Sequence, residues 1–197
     1  MIQDMERGFT GGLLERELLG EISSEKIKEY PDLVYIDRRP ERLAATRHIT
    51  PREALRLVEK LQPWMTTAPL APLAADLYES VAKLLGMKRG HTERLHFYTC
   101  ISPDAKGRTH MDVYHGGDAV MRLIGPEGKD VFVTIDLTLN ENIAAGKRTK
   151  TDVVIVWPVM GLDPDLDSEA WGRHVAAAAD DVYEALMTKT LREEDAA

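Results

Sequence analysis

The strongest constraint in this chain is a change of hydrophobic period near its middle. Ala119 to Ile124 and Val131 to Thr138 are two runs rich in apolar and β-branched residues, separated by Gly125-Pro126-Glu127-Gly128. Pro early in that segment and Gly at its end are turn chemistry, so 119–138 is predicted to be a hairpin. His96 to Ile101 reads as a strand before it. After Asn140 to Thr151, Val153-Val154-Ile155-Val156-Trp157 is unbroken apolar and stops at Pro158, as suits a strand in the interior of a sheet. The twelve residues of that connection are just enough for a crossover or a compact hairpin loop.

Helical signals flank this block. Thr50, Pro51 and Glu53 form a start signal, followed by the apolar positions Ala54, Leu57, Val58 and Leu61. Arg52, Arg56 and Lys60 make a basic stripe on another face, read as solvated or as a phosphate-contacting ridge. Pro69 or Pro72 opens a helix to about Leu85, with Leu73, Leu77, Val81 and Leu84 inward and Asp76, Glu79 and Lys83 opposite. Ser168 starts a last helix whose core stripe is Trp171, Val175, Ala178, Val182 and Leu186. Toward the N-terminus, Leu13, Leu14, Leu18 and Leu19 after Gly11-Gly12 predict a short amphipathic helix, and Ser23-Ser24-Glu25 starts another. Leu33 to Ile36 reads as an edge strand and 38–48 as a loop. The order predicts an α/β (α+β) fold, a mixed central sheet of about four to five strands flanked by helices. Residues 1–65 are expected to form an N-terminal helical arm and 66–197 the core domain.

Composition narrows the class. The chain has 197 residues, 44% of them hydrophobic, enough apolar side chain for a buried core. The single cysteine, Cys100, permits no internal disulfide and reads as a small buried hydrophobe. The N-terminal residues lack the pattern of a signal peptide, and no apolar stretch reaches the ~20 residues of a membrane span, so a cytoplasmic protein with no membrane partner is expected. The net charge of −8 is uneven: residues 163–197 hold ten acidic and three basic side chains, whereas 87–150 hold eight acidic and ten basic. The acidity therefore leaves a nucleic-acid partner open for the central segment, and a homo-oligomer stays open too.

Two carboxylates carry the chemistry. Asp118 follows Gly116-Gly117 at the mouth of the second strand, and Asp136 lies between Ile135 and Leu137 in the third. Pairing through the Gly125–Gly128 turn sets Asp118 opposite Asp136 or Leu137. Close carboxylates repel, and a hard divalent cation, Mg²⁺ or Mn²⁺, relieves that repulsion. On a half-exposed strand Asp136 would instead face solvent. Four histidines fall between residues 91 and 115 (His91, His96, His110, His115), and with Asp112 and Asp118 they raise a second option, a transition-metal site acting on a small molecule. Walker, Rossmann, serine-elbow and Cys-x-x-Cys patterns are absent from the sequence.

The acidic pattern resembles the PD-(D/E)XK nuclease-like superfamily over roughly residues 69–160. Gly117-Asp118-Ala119 stands where that family has its first Asp, and Asp136-Leu137-Thr138 stands at its acidic-x-Lys element, with Thr138 in place of Lys. The resemblance implies metal-assisted phosphodiester hydrolysis of DNA or RNA. Asp118 and Asp136 would hold Mg²⁺ or Mn²⁺, Glu79 would match the family's helix Glu as a further ligand, and the Leu137 carbonyl could add another. Lys150, or Lys147, would stand in for the missing Lys. A family fold that has lost catalysis and serves binding or assembly, as in a phage or mobile element, is the alternative implied by Thr138.

Overall fold

In a computed structural model, the residues described are 12–30, 49–88, 93–103, 108–125, 128–139 and 150–195. The elements run α1 (12–19), α2 (Ser24–Glu29), α3 (Pro51–Glu59), α4 (Pro72–Leu84), β1 (Leu95–Thr99), α5 (His110–His115), β2 (Ala119–Ile124), β3 (Asp130–Thr138), β4 (Val153–Val156) and α6 (Ser168–Asp195). The four strands form one mixed sheet in the order β1-β2-β3-β4. The first three are an antiparallel meander, and β4 runs parallel to β3. The expected edge strand at 33–36 and the 38–48 loop lie outside the described residues.

Strand alternation sorts the side chains into two layers. Phe97, Met121, Val133, Ile135 and Ile155 point into a large core covered by Leu18 and Leu19 of α1, by Leu73, Leu77 and Val81 of α4, and by Trp171, Val175, Val182 and Leu186 of α6. Tyr98 and Val120 point the other way, with Cys100, onto Ala54, Leu55 and Val58 of α3 and Met111 of α5. Each such aliphatic or aromatic burial contributes about 1.5–3 kcal/mol before ordering costs. The sheet is thus sandwiched between helices, with α1 and α3 from the first 65 residues packed onto it.

Local chemistry explains the element ends. Thr50 and Glu53 close a reciprocal capping box at α3, the Glu53 carboxylate accepting from the Thr50 amide at 2.8 Å. Leu55 takes the buried place that periodicity gives to Leu57, and Leu84 is largely exposed at the end of α4. Segments from the N-terminal third also cover the open edge of β1. Gln62, itself buried, accepts from the Thr99 amide (2.9 Å) and donates to the Thr99 carbonyl (3.0 Å). The Phe97 amide donates to the Thr66 carbonyl, and the Ile22 amide to that of Ile101. An edge supplied with partners in this way cannot recruit another chain's strand. Gly20 makes that closure possible. Its φ is +73°, and a Cβ there would lie 2.1 Å from Cη2 of Trp64.

Candidate functional site

The Asp118–Asp136 pair lies where β2 begins and toward the carboxyl end of β3, level with Val154 near the start of β4. The approach to Asp118 is built by the preceding helix. Thr109 caps α5, its hydroxyl accepting from the Asp112 amide, and Gly116 ends it in the left-handed region at φ 65°. Gly117 then runs close over β3, where a Cβ would stand 3.3 Å from Cβ of Thr134.

Asp118 is fixed on both sides. Its amide donates to the Ile135 carbonyl at 2.8 Å, and its carbonyl accepts from the Cys100 amide at 2.8 Å. Its Oδ2 accepts from the Leu137 amide at 2.9 Å, so the side chain extends the β2–β3 ladder by one step. Ala119 pairs with Ile135, which brings the next position outward, Asp118, level with Asp136. Both carboxylates are buried, at 7% and 5% residue exposure. The solvent-facing alternative for Asp136 is thereby set aside.

Burial pushes the Asp118 carboxyl well above the ordinary carboxylate range. The charges of Glu15, Asp136 and Asp112 push it the same way, against the Leu137 amide, which favours the ionised form. Asp112 is itself paired with Arg108 at 2.8 Å. Glu15 is the residue that the sequence reading missed. It is half-buried on α1, three and four residues before Leu18 and Leu19, which enter the main core. That spacing puts Glu15 on the inward-facing side of the helix once Leu18 and Leu19 are packed into the core.

The remaining expected residues are distributed as follows. Lys150 is exposed, and its stem lies against the turn that delivers Asp118: a Cβ on Gly116 would be 3.5 Å from Cβ of Lys150. Thr138 is buried at the end of β3. Glu79 is not brought to the pair. It is exposed on α4 and lines a separate cavity with Tyr78, Lys83 and Met87, because Leu73, Leu77 and Val81 claim the sheet-facing side of that helix. Lys147 lies outside the described residues.

Among the described residues, the histidines do not converge into a metal site. His110 and His115 sit at the two ends of helix α5. His96 bonds the Thr66 hydroxyl at 2.8 Å on β1, His115 Nε2 contacts the Ile49 carbonyl at 3.1 Å, and His91 is outside the described residues. Burial lowers the His96 pKa, with Arg122 adding to it. Burial pushes the Cys100 thiol well up, and Asp118 and Asp112 raise it further, which disfavours the thiolate a nucleophile needs.

Among the described residues, no group of three or more His, Cys, Asp or Glu side chains is arranged to hold a metal ion. The donor set still has the right chemistry for one. Two buried carboxylates on adjacent strands are oxygen donors, and Mg²⁺ commonly binds through one or two carboxylates, completing its shell with water and substrate phosphate. No helix of the described residues is long and apolar enough to cross a membrane. Comparison with protein-family models, with curated proteins and with solved structures finds no match.

Proposed function

We propose that the chain is a divalent-metal-dependent phosphodiester hydrolase acting on DNA or RNA, related to the PD-(D/E)XK nucleases. The observation that carries this reading is the buried Asp118–Asp136 pair on adjacent strands, with Glu15 adding negative charge from α1. Keeping like charges together in a low-dielectric interior is costly unless a cation balances them. Bound Mg²⁺ or Mn²⁺ would supply an acidified water and neutralise charge on the phosphate. Asp118 and Asp136 are the residues that hold the cation, with the Leu137 carbonyl as a further oxygen donor. Glu15 on α1 adds negative charge at Asp118, and Glu79 takes no part in the site. Lys150, at the rim beside Gly116, is placed to balance negative charge building on the phosphate.

Calorimetric titration with Mn²⁺ and incubation with single-stranded, duplex and supercoiled nucleic acid test this reading. Binding and cleavage are both expected, and both should be lost in Asp136→Ala. No cleavage of any of these substrates with either metal would sink it. A second reading is a catalytically silent fold that binds or assembles, favoured by the neutral Thr138 at the family's Lys position. Mn²⁺ binding without cleavage would select it.

A further inference from the structure

A second site lies at the opposite end of β3. A cavity of about 380 Å³ opens between the start of α3, the first residues of β3 and the last turns of α6. Its walls are Thr50, Arg52, Val131, Phe132, Lys189 and Arg192, together with Pro51. Among the described residues of the lining, three are cations and none is an acid. This is notable in a chain whose net charge is −8 and whose C-terminal segment is its most acidic.

Two of the cations are held in place from outside the cavity. Arg52 donates to Asp130 through Nη1 at 2.5 Å and through Nη2 to its carbonyl at 3.2 Å. Lys189 donates to Oδ2 of Asp152 at 2.7 Å and to the Phe132 carbonyl at 3.0 Å, with its ammonium 5.5 Å from the centre of the Phe132 ring. Arg192, one turn beyond Lys189 on the same helix face, has no carboxylate partner among the described residues. Its side chain is exposed, and the planar fork of a guanidinium matches phosphate geometry. The α3 N-terminus contributes little, because its capping box already uses the Thr50 and Glu53 amides.

We infer that this cavity binds a phosphate group, and that the phosphate belongs to the backbone of a polynucleotide. The second half of the inference rests on the hydrolase reading; the first does not. Phe132 and Asp136 lie on the same face of β3, four residues or about 13 Å apart. An oligonucleotide of a few residues spans that distance, so the cavity serves as an anchoring contact away from the carboxylates.

The test is anisotropy of short fluorescent single-stranded and duplex oligonucleotides with the full chain in EDTA, so that no cleavage is needed. Arg192→Glu, whose exposed position spares the fold, should weaken binding about tenfold and reduce the salt slope by about one. Arg173→Glu, an exposed change early in the same helix, should stay within about twofold of wild type. A thermal melt of each variant verifies the fold. Unchanged binding in Arg192→Glu, or an equal loss in Arg173→Glu, overturns the inference. Inorganic phosphate and a nucleoside monophosphate, followed by ³¹P NMR, separate the two sources. If they bind in an Arg192-dependent way while oligonucleotides do not, the cavity serves a small phosphorylated ligand and the polynucleotide assignment is overturned. Because the anisotropy is read in EDTA and needs neither metal nor cleavage, failure of the cavity and failure of the hydrolytic site give different results.

Discussion

Replacing Asp118 by Asn and by Ala separates the two things this side chain does. It carries a charge that its surroundings disfavour, and it supplies the acceptor used by the Leu137 amide at 2.9 Å. Ala removes both. Taking the acceptor from a buried amide costs about 1–3 kcal/mol, and for a chain of this size each kcal/mol moves Tm by about 2–4 °C. Asn keeps an oxygen for the amide and removes the charge that Glu15 and Asp136 oppose. In metal-free buffer at pH 7, Asp118→Asn should therefore melt no lower than wild type, and Asp118→Ala several degrees below Asp118→Asn. The pH dependence has a definite sign. A carboxyl raised in the folded state makes the unfolded chain the weaker proton binder, so the stability it contributes is full below its ordinary value of 3.8 and is lost as pH rises through the folded value. Wild type should gain stability relative to Asp118→Asn as pH falls toward 4, and saturating Mn²⁺ should stabilise wild type more than the variant. Thermal melts across that pH range, with EDTA and with Mn²⁺, provide the measurement. An Asn variant as unstable as the Ala variant, or parallel pH profiles for Asn and wild type, would refute the reasoning.

Gly20→Ala should destabilise by about 2–4 kcal/mol, from the left-handed backbone and from overpacking against Trp64; urea unfolding measures it, and a loss under 0.5 kcal/mol would contradict the close approach. Asp130 behaves oppositely to Asp118. Burial alone would raise it, but the Arg52 hydrogen bond and the charges of Arg122 and Arg52 outweigh burial and hold its carboxyl below the ordinary range. Its stabilising contribution is present above 3.8 and is lost as pH falls through the folded value, so Asp130→Asn should flatten the acid limb of the stability profile, which acid titration by circular dichroism reads directly.

The strands and principal helices were legible because their signals are local. The 119–138 hairpin, the apolar run 153–156 and the capping box at Thr50 each depend on residues within a few positions of one another. The level pairing of Asp118 with Asp136 was within reach for the same reason: a hairpin turn sets register by counting. Glu15 was not, since more than a hundred residues separate it from Asp118, and only the packing of Leu18 and Leu19 says which way α1 faces. Glu79 failed in the complementary manner. Its position before the meander suited a motif, but the apolar stripe of α4 turns it outward.

The sequence by itself therefore determined the element types, the antiparallel meander and the two acids that share its open end, all products of short-range periodicity and turn chemistry. Tertiary structure decided the rest. It packed α1 and α3 against the sheet, turned Glu79 away from the pair while Glu15 adds charge at Asp118, and gathered Arg52, Lys189 and Arg192 around one cavity. Each of those outcomes depends on which apolar face is buried against which, a long-range free-energy comparison that no local pattern encodes.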